Sequence, residues 1–478
     1  MATAMAFAGA RLGLRRRTRR PARTVVVHAH LKKRLETRVK VLARLAAPLT
    51  AVQVGMLLMG VVDTVMVGRL AKDALAGVAL GSSITWFWMS FGFGCLQSVD
   101  PVIAQAFGAE EMGAVPTNVQ RGAMLAASLT IPIVLALFQT ERVLVTMGQP
   151  EGLIPVASRY ACINACGVLP GFLFAVMRSA LQATNNTVPL LKPIIIANIS
   201  NVVLNWVLIF GNLGAPPLGI TGSAIATVLC RFIMALAILR PVLKSVPTLF
   251  QLNPKSLKVK PLVGLAKLGL PMGFQSQLES GLFTLTALLM GRLGTVTVAA
   301  HQITNTLGAL SFMVPLGISQ AVAVLVGNAV GKNDREKASD SALSGLIVGS
   351  FIMCIASSCF ILFPRTIASI WTSDPETLGK AAQLIPIAGA FQLFDGLGVI
   401  SAGSLRGLGE TKAPFFSKLF AYWAVGLPAG LYLAFDRSME AAGLWWGLAI
   451  SLFCNSLVLL LRLRSKLTRP LVRIQIEG

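Results

Sequence analysis

Four carboxylates stand inside long apolar runs, where a charge is costly and each one needs a partner or a task. Asp63 lies in Met59-Gly60-Val61-Val62-Asp63-Thr64-Val65, and Asp100 in Gln97-Ser98-Val99-Asp100-Pro101. Glu279 lies in Gln275-Ser276-Gln277-Leu278-Glu279-Ser280, and Asp395 in Phe391-Gln392-Leu393-Phe394-Asp395-Gly396. The expectation is that no Lys or Arg sits mid-span to neutralise them. Such groups hold a proton or collect a hard cation such as Na+. Moving one charge across 100 mV is worth about 2.3 kcal/mol, enough to bias an alternating-access equilibrium.

Three amides add a second signal. Asn198, Asn201 and Asn205 are spaced three and then four apart, which places them on one helix face. Amide oxygens ligate hard cations and amide NH₂ groups donate to carboxylates. Interhelical hydrogen bonding is the other use of such a stripe. Asp63, Glu279, Asp395, Asn201 and Asn205 are therefore the candidate ion- or proton-coupling residues. Asn198, His301 and Asp100 are secondary candidates. Asp100 lies nearer a helix end, with access to solvent. His301, in Ala299-Ala300-His301-Gln302, reads first as a hydrogen-bonded packing residue and second as a proton relay.

The elements that must position these groups are membrane helices. In 478 residues the hydrophobic share is 55% and the charged share 13%, against about 25% charged in soluble domains. Apolar stretches long enough to cross a bilayer recur, continuous rather than alternating, which excludes a soluble body and a β-barrel. Twelve spans are predicted: 44–67, 77–107, 120–140, 157–180, 187–210 and 217–243, then 262–291, 297–330, 341–363, 380–404, 414–435 and 441–463. The second and eighth are over-long and must tilt or project. The seven cysteines all fall in apolar runs and read as small core residues, with no metal site in view.

Charge sets the orientation. The formal net charge is +23. Bases gather in the loops after the sixth, eighth and tenth spans and in the C-terminal tail, whereas the loop after the fifth has none. Both termini are predicted on the same, cytosol-equivalent side. With Phe and Trp inside the spans and little Tyr, the bases suit anionic headgroups and not nucleic acid. Met1 to His30 contain seven Arg and no Asp, Glu or Ser. That composition suggests an organelle transit peptide, with a cytoplasmic basic tail as the alternative.

The halves repeat. A shift of 223 residues lays Leu42-Ala43-Arg44-Leu45-Ala46-Ala47-Pro48 on Leu265-Ala266-Lys267-Leu268-Gly269-Leu270-Pro271, and Gly68-Arg69-Leu70 on Gly291-Arg292-Leu293. The same shift lays Gly94, Gln97, Ala106 and Gly108 on Gly317, Gln320, Ala329 and Gly331. Six helices followed by six in the same orientation imply two bundles about an axis along the membrane normal, a transporter architecture. The expected boundaries are a basic extension 1–40, a first bundle 41–243, a basic linker 244–261, a second bundle 262–464 and a basic tail 465–478. Acids scattered over four helices, a single mid-span His and no Walker-type glycine loop leave no catalytic set and exclude an ATP-driven pump.

These residues resemble a known family. Val62-Asp63-Thr64-Val65-Met66-Val67-Gly68, His301-Gln302, Ala402-Gly403-Ser404-Leu405-Arg406-Gly407, Asn201-x-x-x-Asn205-Trp206 and Leu270-Pro271 followed by Glu279 look like multidrug and toxic compound extrusion (MATE) transporters, nearest the NorM-like branch. The resemblance runs from about Arg38 to Arg464. It implies two six-helix bundles around a V-shaped cavity. It implies an antiporter that expels organic, usually cationic, compounds in exchange for Na+ or H+, with no cofactor and no obligate protein partner. It places coupling acids at Asp63, Glu279 and Asp395 and amides at Asn201 and Asn205. Asp100 and the Arg-rich extension are outside the family pattern. The extension favours a plastid or other organelle envelope over a bacterial inner membrane. The competing reading is an organelle metabolite or lipid-linked exporter of the same superfamily.

Overall fold

In a computed structural model the described residues are 21–70, 72–251 and 253–476; for 21–35, 72–75 and 255 the description covers the backbone alone. Most of the Arg-rich stretch that suggested a transit peptide lies outside them. Every regular element among the described residues is helical. Among the described residues nine helices are long and apolar enough to cross a bilayer, and the pair Ile154–Ala165 and Val168–Ala183, bent by 48°, makes a tenth if it is one span. The other two expected spans are helical as well. One is Lys72–Leu96 continued by Val99–Gly108, and the other is Val259–Gly291.

Local sequence accounts for the breaks. Gly167 interrupts the fourth span. Asp334 and Asp374 cap Arg335–Leu362 and Pro375–Gly407, their carboxylates accepting from Lys337 N and Thr377 N at 2.9 Å each. Gly211 ends Leu191–Phe210 with φ 76°, a left-handed conformation that favours glycine.

The halves meet at one end only. The largest core cluster runs from Leu42, Leu49, Ile103 and Leu181 in the first half to Val322, Ile400 and Leu459 in the second. Further along the helices the cores separate. Leu282, Ala300, Phe391 and Trp445 form one within the second half, and Val67, Tyr160 and Ile209 form one within the first. The joined end is the basic end, beside Arg335, Lys412 and Arg464. By the positive-inside rule the halves are closed toward the cytosol-equivalent side and parted toward the other.

The seam is pseudo-symmetric. Gly94 abuts Met272 and Gly273, while Gly317 abuts Thr50. Gly108 abuts Asn328, while Gly331 abuts Gln105. In both pairs a shift of 223 residues converts one contact into the other, so the repeat in the sequence is a two-fold relation in space. Glycine lets the backbones approach where a Cβ would collide. Hydrogen bonds cross the same seam. Gln105 Nε2 donates to Gly407 O at 3.0 Å, Gln277 Nε2 to Phe87 O at 2.6 Å, and Asn328 Nδ2 to Asn185 Oδ1 at 3.3 Å.

After the last helix, Glu440–Thr468, the chain crosses this closed end. Arg473 donates both terminal nitrogens to the Glu111 carboxylate at 2.9 Å, and Ile474 N donates to Gln105 Oε1 at 2.8 Å. The Arg473 guanidinium holds the Glu111 carboxyl below its usual range. Burial draws Glu410 upward, but Lys466 and Arg462 outweigh it and leave that carboxyl lowered too. A depressed carboxylate stabilises above its unfolded value of about 4.3 and loses that contribution as pH falls through the folded value. Both partners are exposed, so the Arg473 pair contributes only about 0.2–1 kcal/mol. Arg473→Ala should therefore lower the thermal midpoint at pH 7 slightly and by less at pH 4. An equal loss at both values would mean that the pair is not the cause.

Some expectations change. Cys166, Cys354 and Cys359 are exposed, not core; an apolar run has a lipid face as well as a packed one. Arg178, Arg231, Arg406 and Lys418 all lie within spans, so the expectation of no mid-span cation is wrong.

Candidate functional site

Asp63 sits near the parted end of its helix, about 20 Å beyond the seam contact at Thr50 by helical rise. It is 8% exposed. Its Oδ1 accepts from Asn201 Nδ2 at 2.8 Å and from Asn205 Nδ2 at 2.6 Å, and its Oδ2 accepts from Thr227 Oγ1 at 2.9 Å. Three donors from two other helices therefore converge on one carboxyl. Arg231 on the next helix supplies the nearby positive charge. Both amides leave Oδ1 buried and unpartnered.

The amide stripe divides. Asn198 Nδ2 donates to Gly55 O at 3.1 Å and to Ile194 O at 2.9 Å, so it ties two helices together and does not reach Asp63. Thr227 was missed, although Ser223, Thr227 and Arg231 form a polar stripe at spacing four that the sequence displays. Thr227→Val should leave Asp63 Oδ2 without its donor and cut transport several-fold. Asn198→Ala should cost about 1 kcal/mol of stability, the worth of an ordinary hydrogen bond, with transport retained. Efflux and thermal unfolding measured on both variants check this; the reverse assignment of effects would overturn it.

The second half holds the other acids. Glu279 is bonded and ion-paired to Lys418 Nζ. Asp395 lies close enough to feel both charges, yet no hydrogen bond or ion pair reaches it among the described residues. Lys418 also stands over the Tyr422 ring, 5.6 Å from its centre. It ends the α-helical part of Lys412–Asp436, where the chain passes into a π-helical segment, Leu419–Gly426. Such segments are frequent at functional sites because the extra residue per turn re-aims side chains. Lys418 lies inside the predicted eleventh span and could have been noticed there.

The two sites differ in charge. In the first half one carboxylate faces one guanidinium. In the second, two carboxyl groups stand by one ammonium, a formal excess of one acid. Asp395 is thus a carboxyl with no cationic partner of its own among the described residues. The second site contains no trio of His, Cys, Asp or Glu placed to hold a transition metal.

His301 joins neither site. It is 2% exposed and packs against Trp445 with ring centres 5.6 Å apart; its Nδ1 has no partner. It is a packing residue, but the hydrogen bond expected for it is absent at that nitrogen. Asp100 is also apart, buried near the seam with Oδ1 unpartnered. The expected solvent access is absent because the joined halves cover it.

Comparison with known proteins bears on the family and the fold. The MatE family model matches twice, over residues 48–207 and 271–431, and the matches begin at the offset of the repeat. A multidrug resistance protein NorM from Burkholderia vietnamiensis is 36% identical over 419 residues, covering 86% of this chain and 90% of its own. Its namesake from Vibrio cholerae is 33% identical over 431 residues, covering 87% and 93%. Among solved structures, the eukaryotic MATE transporter AtDTX14 superposes with a TM-score of 0.85 at 20% identity, covering 92% of this chain and all of its own.

Proposed function

The chain belongs to the MATE family, and from that premise we propose that it is a multidrug efflux transporter working as a secondary antiporter, expelling organic cations in exchange for Na+ or H+. The observation that carries this reading is the charge imbalance of the second half, where Glu279 and Asp395 share Lys418. The substrate is a small organic cation within a lipid bilayer. No resident cofactor is needed, because the coupling ion supplies the driving force.

The mechanism is competition. With the halves parted on the far side, a proton or Na+ reaches Asp395 and cancels the excess charge. Capture at Glu279 releases Lys418, whose free ammonium repels a cationic substrate and expels it. The empty transporter then returns to the basic side. The ion must bind the two states differently, or it moves nothing. Asp63, balanced by Arg231 and held by Asn201, Asn205 and Thr227, serves as a second, neutralised polar contact in the first half.

The two NorM relatives named above are bacterial, and they favour an inner membrane. The plastid reading keeps only the composition of Met1 to His30 in its support. The test is uptake of ethidium into inside-out vesicles under an imposed Na+ or pH gradient, wild type beside Glu279→Gln. Gradient-dependent uptake that falls at least about tenfold in the variant is expected, and the effective gradient names the ion. Full coupled transport by Glu279→Gln would remove that residue from the mechanism. No transport of several cations under either gradient would leave the metabolite or lipid-linked exporter in its place.

A further inference from the structure

A third group of charges, Asp100 and Arg406 buried and Arg178 partly so, lies where the halves join, and the antiport mechanism does not use it. Arg178 comes from Val168–Ala183 in the first half, Arg406 from Pro375–Gly407 in the second, and Asp100 from Val99–Gly108. Arg178 Nη1 donates to Gln53 Oε1 at 3.3 Å. Arg406 donates to Gln97 Oε1 and, at 3.4 Å, to Ser319 Oγ. All these acceptors are neutral. Asp100 acts electrostatically on both guanidiniums, and the guanidiniums act on each other. Yet no ion pair joins any two of the three among the described residues. Asp100 Oδ1, Arg178 Nε and Arg406 Nε are each buried without a partner.

This group carries one positive charge in excess. Burying an uncompensated charge in a membrane protein is expensive, and a guanidinium with a free Nε–H keeps one edge of its donor fork unused. Planar forks of that kind match carboxylates. The two forks belong to opposite halves, so an anion held between them would contact both bundles at once. Arg406 and Asp395 stand eleven residues apart on one helix, about 16 Å by helical rise, so this group is separate from the coupling carboxylates.

We propose that Arg178 and Arg406 form an anion subsite at the seam, which takes the carboxylate of a substrate that carries one beside its cationic group. The proposal deepens the antiporter reading and rests on it for the word substrate. Asp100 limits the subsite to a single negative charge. A carboxylate bound there holds the halves together at the basic end and must leave before they part.

The experiment uses a rhodamine ester, a pure cation, and the corresponding free acid, a zwitterion. Binding of each to the purified full chain is followed by fluorescence polarisation, and uptake of each into inside-out vesicles is measured in parallel. The quantity read is the preference for free acid over ester. Arg178→Gln and Arg406→Gln, which keep hydrogen-bonding capacity and lose the charge, should each lower that preference at least tenfold. Asp100→Asn should raise it several-fold, a change of opposite sign that lost folding could not produce. Equal losses for both dyes in the arginine variants, with no gain in Asp100→Asn, would make the group structural and overturn the proposal. Inorganic phosphate that stabilises wild type but not Arg178→Gln, with both dyes bound alike, would assign the subsite to a free anion and also overturn it. Shifted binding preferences without uptake of either dye would uphold the subsite and sink the antiporter reading instead.

Discussion

Asp395→Asn is expected to abolish gradient-driven efflux, lowering it by at least about tenfold, or about 1.4 kcal/mol. The substitution keeps the volume and removes a mid-span carboxyl that no hydrogen bond or ion pair engages among the described residues. Glu279 and Lys418 would remain as a balanced pair, with no excess charge to attract an ion. Driving a two-state transporter from one side to the other takes about 5.5 kcal/mol of differential binding. A site that binds the ion equally in both states contributes none of it. Asp395→Glu should keep part of the activity, because the charge survives. Efflux of ethidium under the effective gradient, with membrane abundance measured alongside, decides the matter. Wild-type transport by Asp395→Asn would show that Glu279 and Lys418 suffice for coupling.

Gly331→Val should open the basic end. A Cβ at Gly331 would collide with the carbonyl of Gln105 and stand 2.8 Å from Ala109 N. Both obstacles are backbone, so no side-chain rotation relieves them. Overpacking of this kind costs about 1–3 kcal/mol. If only the closed seam bears that cost, the closed state is depopulated by about 5–150-fold. Cys95 is a native reporter, since it is 2% exposed and its Sγ lies against Gly273 in the seam. With the other six cysteines replaced by Ser, its alkylation should rise at least about fivefold in Gly331→Val. Transport should fall, because the cycle can no longer visit both states. Gly291→Val is the control, as a Cβ there meets nothing within 4 Å. Unchanged Cys95 labelling would mean that the seam tolerates the side chain and that the glycines are not required for closure.

The membrane class, the spans, the repeat and the basic side were legible in the sequence, because each is a property of the chain read along its own length. Hydropathy over about 20 residues reports the cost of crossing a bilayer, and a shift of 223 residues exposes the duplication. The costly residues were legible for the same reason. Asp63, Glu279 and Asp395 stand out wherever they fold, and helical spacing alone put Asn201 and Asn205 on one face. What spacing could not show is which residue waits across the next helix. Asn198 shares the face of Asn201 and Asn205, yet one turn of displacement sends it to Gly55 instead of Asp63. Lys418 and Glu279 lie 139 residues apart, and their pairing depends on how two helices of the second bundle cross. The same is true of Thr227 with Asp63 and of Arg178 and Arg406, which feel each other's charge only because the two halves close on each other. A helix determines depth and face for each side chain from sequence; its neighbours are decided by packing, and with them whether a buried charge is balanced or left in excess.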